Sequence, residues 1–504
     1  MQEERGETIC RINTGHQLSR AVHEYRQPIA KVRWTLFVLL VLSMSLSTLE
    51  TLGVDIPTLE KAEREYLLDR KDGYTQIARR VARVNRENFM YGPAILTLAA
   101  GIASRLPDRG PSGAWRRELL PWPSEVDGRP SPPAFYYRPV PVHVRWVSPK
   151  QKRVFIIFGS SYSTWERGTW TNLAVELLRQ QFHEPQLMVF AGFLTPEFLN
   201  LRSRNPALTT AEPARDLYVR LRAAIAEWKR SGRLDADSQV GLVGFSGGAS
   251  LVISLLAEDS RHGGPLLFDR GGIAFSPVLD LPISFQVLDG ANKLLNERSF
   301  PPSRALTTPL FPDALLALLR GYTPSNPAPF LRLTSSNSAA RQTARRRETI
   351  GRFYREFQRV DLATTSKASY TETPTFRIAA EQARKEDRLN YGEYYRRIVF
   401  ECLQPGHNFE RGTRIEPELE RIRRVPIYLV FAQDDPVLSQ IDPELAGSKL
   451  RFPSRLQSIV KFAKGQPNMR VFNPIRGAHM GYFLDRNYLQ GSLAGFFGGS
   501  APRK

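Results

Sequence analysis

Between a short apolar run, Gln239 to Gly244, and a helical run that begins at Ala249, the chain reads Gly244-Phe245-Ser246-Gly247-Gly248. No other feature constrains the fold as much. A serine at the centre of a G-x-S-x-G turn, entered from a strand and left through a helix, stands on a tight, strained bend with its hydroxyl exposed at the C-terminal edge of a sheet. Side chains beside it would obstruct the bend, which accounts for Gly244 and Gly248. The helix beyond points its first amides at the serine, and the amide of Gly247 is the expected donor to a developing oxyanion. Ser246 is therefore the candidate nucleophile.

The surrounding pattern is strand and helix in alternation, the signature of a mostly parallel sheet covered on both faces. Phe135 to Arg138 and Pro141 to Val147 read as an opening strand pair, and Arg153 to Phe158 as an apolar strand ending at Gly159. Helices are expected over Trp165 to Gln181 and Ala211 to Arg230, the latter with Leu217, Leu221, Ile225 and Trp228 on one face. Further strands are expected at Gln186 to Ala191, Gly272 to Phe275, Val425 to Phe431 and Met469 to Phe472. This divides the chain into a polar tail (1–33), an apolar segment (34–50), a helical region (59–106) and a Pro/Gly-rich linker with no expected regular element (107–134). A core built from 135–280 and 421–500 follows, interrupted at 281–420 by an insertion read as a cap.

A serine base and its orienting carboxylate are expected late in the chain, each just past a strand. Asp434-Asp435-Pro436 follows the strand ending at Phe431, and Gly477-Ala478-His479-Met480-Gly481 follows the one ending at Phe472. A carboxylate there accepts the second imidazole N–H and favours the tautomer that takes the serine proton. His479 is the candidate base. Asp435 is the candidate acid because Pro436 fixes the backbone after it, and Asp434 is its alternative. The loop after the strand at Arg153 to Phe158 supplies a second oxyanion donor, assigned to the amide of Ser160, and Tyr162 and Phe245 are assigned to the substrate pocket.

Composition limits the other classes. The formal charge is +20, from 70 Lys and Arg against 50 Asp and Glu. The arginines are spread along the chain, with runs at Arg345-Arg346-Arg347 and Arg421-Ile422-Arg423-Arg424 and no nucleic-acid-binding arrangement, so no nucleic-acid partner is expected. Cys10 and Cys402 are the only cysteines, too few for a disulfide framework. The other six histidines show no paired ligand spacing, so neither a metal nor an organic cofactor is expected. Residues 34–50 read as a membrane anchor, with a cleaved secretory signal or a buried helix as alternatives, since an uncharged run shorter than the roughly 20 residues of a span has Arg26, Lys31 and Arg33 before it and Glu50, Asp55 and Glu60 after it. With the basic surface, that asymmetry predicts membrane association with the catalytic part outside the cytoplasm, a soluble cytoplasmic chain being the alternative.

The stretches GFSGGAS, AQDDPVL and RGAHMGY, with Tyr391-Gly392-Glu393-Tyr394-Tyr395-Arg396, resemble the α/β-hydrolase superfamily and most closely its YheT-like (EMB8-like) branch. The resemblance covers roughly 135–495. It implies an α/β-hydrolase fold with Ser246 as nucleophile, Asp435 as acid and His479 as base. Three departures stand out: Ala478 replaces a usual glycine, the stretch between Ser276 and Tyr391 is longer, and no His precedes Gly159. The expected activity is hydrolysis of a carboxylic ester of lipid-like or other apolar character, a small-molecule acyl substrate, through an acyl-enzyme. The alternatives are an amidase or peptidase using the same three residues, and a non-catalytic binding protein that keeps the fold.

Overall fold

The computed structural model describes residues 49–69, 114–126, 129–130, 139–148, 151–160, 169–192, 211–280, 284, 414–433, 435, 454–475, 477, 479–480 and 485–499. The expected opening strand at 135–138, most of the insertion and most of the 59–106 region lie outside these residues.

In chain order the elements are α1 (Ile56–Asp69), β1 (Arg116–Leu120), β2 (Glu125–Val126), β3 (Arg129–Pro130), β4 (Val140–Arg145), β5 (Arg153–Phe158), α2 (Thr169–Gln181), β6 (Gln186–Phe190), α3 (Ala211–Arg230), β7 (Gln239–Phe245), α4 (Gly247–Arg261), β8 (Gly272–Phe275), α5 (Glu416–Leu419), β9 (Ile427–Val430), α6 (Ser454–Lys464), β10 (Met469–Phe472) and α7 (Arg486–Gly498). Eight strands form one sheet in the order β1-β4-β6-β5-β7-β8-β9-β10, and β2 pairs with β3 in a separate hairpin. The pairs from β6 to β10 are all parallel, whereas β4 is antiparallel to both its neighbours.

The chemistry of the strands explains this order. Val154 to Phe158 of β5 and the whole of β6 are buried, as a strand sandwiched between two helical layers must be. One face packs on α3, α4, α5 and α6, and there Leu217, Leu221, Ile225 and Trp228 form the apolar stripe of α3 expected from their spacing. The other face packs on α1, α2 and α7. Helix α4 is buried from Gly247 through Asp259, which suits its high apolar content and puts the helix that begins at Ser246 in the middle of the molecule. This is the α/β-hydrolase fold.

Two expectations are corrected here. The linker at 107–134 contains a regular element: β1 uses RRELL, five residues free of Pro and Gly between Trp115 and Pro121, and it pairs with β4. Its exposed arginines sit on the sheet edge, where charge discourages further strand addition.

The second correction concerns the membrane. Among the described residues no helix is long and apolar enough to cross one. Residues 34–48 of the expected anchor lie outside the described residues, but its end is described. Leu49 is buried with Val54, Ile56 and Leu59 in the core beneath α1, so this apolar surface is used in packing against protein. Membrane anchoring through 34–50, association through the basic surface and the placement of the catalytic part beyond a membrane are therefore withdrawn.

Helix α1 is an addition to the layer formed by α2 and α7. Asp55 caps it, accepting from the Thr58 amide at 3.1 Å and the Thr58 hydroxyl at 2.7 Å. Glu63 on α1 accepts from Arg470 of β10 at 2.6 Å and from the buried Tyr428 hydroxyl of β9 at 2.9 Å, which ties the helix to the sheet. The two ends of the insertion also meet. Asp280 and Arg414 form an isolated antiparallel bridge, the Arg414 Nε lies 3.3 Å from Asp280 Oδ2, and the Ile415 amide donates to the Leu279 carbonyl at 3.2 Å.

Candidate active site

Strand β7 ends at Phe245 and α4 starts at Gly247, so Ser246 alone makes the change from extended to helical backbone. Its φ of 54° and ψ of −121° lie in a region that residues with a Cβ rarely occupy, at a strain on the order of 1–3 kcal/mol. Neighbouring hydrogen bonds hold it there. The Ser246 amide continues the sheet by donating to the Phe275 carbonyl at 2.8 Å, while the Ser246 carbonyl accepts from Ala249 at 2.9 Å and Ser250 at 3.2 Å to open the helix.

The glycines are required by contact. A Cβ on Gly244 would lie 2.7 Å from the Ala249 Cα, and one on Gly248 would fall 2.6 Å from the Phe158 carbonyl oxygen and nearer still to that of Gly159. The first turn of α4 is thus pressed against the backbone where β5 ends. There the Gly159 amide donates to the Phe190 carbonyl at 3.4 Å, so it is turned toward the sheet, and half-buried Ser160 is next along the chain. The Gly247 amide has no acceptor among the described residues.

Three side chains expected to act together do meet. The Ser246 hydroxyl Oγ lies 2.9 Å from Nε2 of His479, and Nδ1 of His479 lies 2.9 Å from Oδ2 and 3.2 Å from Oδ1 of Asp435. Asp435 is completely buried and His479 nearly so. An Nδ1–H donated to a carboxylate leaves Nε2 as an acceptor facing the serine hydroxyl, the tautomer that proton abstraction needs. Met480, immediately after His479, has a φ of 68° and a buried side chain, which anchors the histidine loop in the core.

The remaining expected site residues divide. Asp434 and Tyr162 lie outside the described residues, as does the Tyr391 to Arg396 stretch. Phe245 is placed in the core: its ring is fully buried and stacked on Phe275 at 5.6 Å. A residue on a strand flanked by helices on both sides points into one layer or the other, and the alternation along β7 sends Phe245 toward α2 and α7.

Three residues near the site were missed by the sequence reading. Ser250, one helical turn beyond Ser246, exchanges hydrogen bonds with the backbone of Val278, accepting from its amide at 2.8 Å and donating to its carbonyl at 3.0 Å. Gln433 and Asn473 join the acid loop to the histidine loop: the Gln433 amide donates to the Pro474 carbonyl at 2.9 Å, Gln433 Nε2 to the Asn473 carbonyl at 3.2 Å, and Asn473 Nδ2 to the Phe431 carbonyl at 2.8 Å. The only sequence signal for the last two is their position one or two residues past a strand.

No protein-family model and no curated protein matches this sequence. Solved structures do match. An esterase of Pyrococcus furiosus is 11% identical with a TM-score of 0.35, covering 76% of this chain and 89% of its own. An acylaminoacyl peptidase of Pyrococcus horikoshii is 9% identical with a TM-score of 0.35, covering 76% of this chain and 40% of its own. An esterase of Pyrobaculum calidifontis is 12% identical with a TM-score of 0.30, covering 82% and 91%. Likeness at this level carries no chemistry, which rests on the site alone.

Proposed function

We propose that this protein is a serine hydrolase that cleaves a carboxylic ester through an acyl-enzyme intermediate, with Ser246 as nucleophile, His479 as general base and Asp435 as the carboxylate that orients it. The observation that carries this reading is the unbroken line from a buried carboxylate through an imidazole to a serine hydroxyl held at positive φ on the first residue before a buried helix.

The chemistry follows in two halves. His479 Nε2 takes the hydroxyl proton as Ser246 Oγ bonds to the carbonyl carbon, and the imidazolium is stabilised by Asp435. The carbonyl oxygen, now an anion, is received by the amides of Gly247 and Ser160. Collapse breaks the bond to the alkoxide, which leaves with the proton returned by His479. Water then gives a proton to His479 and attacks the acyl carbon, and the acid is released as Ser246 regains its hydrogen. The family that GFSGGAS, AQDDPVL and RGAHMGY resemble includes esterases and acyl-glycerol or phospholipid hydrolases, a range that an ester substrate fits and that narrows it little. The argument for a lipid-like ester drew on membrane apposition and falls with it.

The test is fluorophosphonate labelling of the wild type and of Ser246→Ala, with a panel of acyl esters and aminoacyl amides. Labelling and ester turnover in the wild type, both lost in the variant, are expected. Labelling that survives in Ser246→Ala refutes the nucleophile, activity confined to aminoacyl amides refutes the ester assignment, and an unlabelled but folded wild type refutes catalysis.

A further inference from the structure

We infer that Gln433 and Asn473 are positioning residues that hold the acid loop and the histidine loop in a single register, so that Asp435 and His479 meet; the inference rests on the serine-hydrolase reading above. Strands β9 and β10 pair in parallel from Ile427 opposite Met469 to Val430 opposite Phe472. Beyond them one chain runs to Asp435 and the other to His479. Two loops leaving a sheet edge side by side have no inherent register once the ladder stops.

Here the ladder is carried further. The Phe431 amide donates to the Phe472 carbonyl at 3.1 Å, and the Gln433 amide to the Pro474 carbonyl at 2.9 Å, the alternate-residue spacing of a parallel pair. Between those two bonds a parallel ladder requires the amide of residue 474 to donate to the Phe431 carbonyl. Residue 474 is proline and has no N–H. The side chain of Asn473 fills that vacancy, its Nδ2 donating to the Phe431 carbonyl at 2.8 Å. The Gln433 side chain then returns the connection, Nε2 donating to the Asn473 carbonyl at 3.2 Å. Phe431 is fully buried, so its carbonyl has little access to water as a substitute. Asp435 follows Gln433 by two residues and is tied back to this point by its own amide, which donates to the Ala432 carbonyl at 3.3 Å. The side-chain clamp and the Gln433–Pro474 bond thus connect the two loops just before the carboxylate and the imidazole face each other.

The test uses ester turnover and fluorophosphonate inactivation of the full chain. Asn473→Leu removes the donor at similar volume, and it is expected to lower kcat and the inactivation rate by roughly tenfold or more with KM within about twofold, as for a small misplacement of catalytic groups. Adding Pro474→Ala to it supplies a backbone N–H to the Phe431 carbonyl and is expected to recover most of the loss. In a His479→Ala background, Asn473→Leu is expected to change the residual rate by less than about twofold, because the group it positions is gone. Gln433→Met, which removes one bond of the clamp, gives a smaller loss in the same direction and stands in if Asn473→Leu does not fold. An unchanged kcat in the folded variants, an equal loss in the His479→Ala background, or no recovery with Pro474→Ala overturns the inference. A wild-type rate that Ser246→Ala leaves intact overturns the serine-hydrolase reading instead.

Discussion

Gly248→Ala tests whether the backbone after β5 takes part in catalysis. The added Cβ would stand 2.6 Å from the Phe158 carbonyl oxygen and closer to that of Gly159, where real Cβ contacts essentially never fall under 3.0 Å. Both partners are backbone, so no side chain can swing aside. Helix α4 is buried along most of its length and cannot retreat. The strain is therefore relieved by moving the chain at Gly159 and Ser160, by roughly 1 Å, away from the serine. A misplacement of that size in a reacting constellation costs on the order of a hundredfold in rate, equivalent to about 2.7 kcal/mol of transition-state stabilisation. Overpacking alone destabilises a fold by about 1–3 kcal/mol, which a protein of this size survives. The expected result is a folded variant with kcat for a p-nitrophenyl ester down about a hundredfold, KM little changed, and a melting temperature lower by a few degrees. A folded Gly248→Ala variant within threefold of wild-type kcat would show that the Gly159-Ser160 backbone gives the oxyanion nothing.

Two further outcomes are expected. Phe245→Leu lowers stability by about 1 kcal/mol and leaves the ratio of acetyl to octanoyl ester turnover unchanged; a shift in that ratio would return Phe245 to the substrate pocket. Burial, with Arg117 across the strand pair, holds the His143 imidazole down from 6.5 to about 4. The unfolded chain then binds the proton more readily, so this contribution is complete above pH 6.5 and is lost as pH falls toward 4, amounting to about 1–2 kcal/mol after screening near the sheet edge. His143→Gln is expected to flatten the acid side of the melting profile between those limits, and an unchanged slope would refute it.

Much of the core could be read from residue order. The strands Arg153–Phe158, Gly272–Phe275 and Met469–Phe472 and the helix Ala211–Arg230 lie where their patterns put them, because a doubly covered strand is a plain apolar run and a one-sided helix has a stripe. Ser246, Asp435 and His479 were equally visible, since each follows a strand that brings it to the same sheet edge. Strand β1 was hidden by the prolines and glycines around it, which mark turns but say nothing of the five residues between them. The status of Phe245 was hidden because a G-x-S-x-G pattern does not say which helical layer its second residue enters. Gln433 and Asn473 were hidden because a half-buried amide in a loop looks the same whether it meets water or patches a ladder. The anchor reading of 34–50 misled for a related reason: apolar surface meant for protein and for lipid has the same composition, and at Leu49, the described apolar residue of the run, it is the contact with Val54, Ile56 and Leu59 that shows which is meant.

The bridge between Asp280 and Arg414 has a consequence in polymer terms. From the standpoint of the sheet, residues 281–413 are a closed loop whose ends are already neighbours, and the entropy of closing such a loop grows only as the logarithm of its length, to about 4 kcal/mol here. Doubling or halving the insert alters that figure by about 0.6 kcal/mol. The length of the insert is therefore nearly free to drift without unsettling β8 or β9, and Ser246, Asp435 and His479 can stay together while it does.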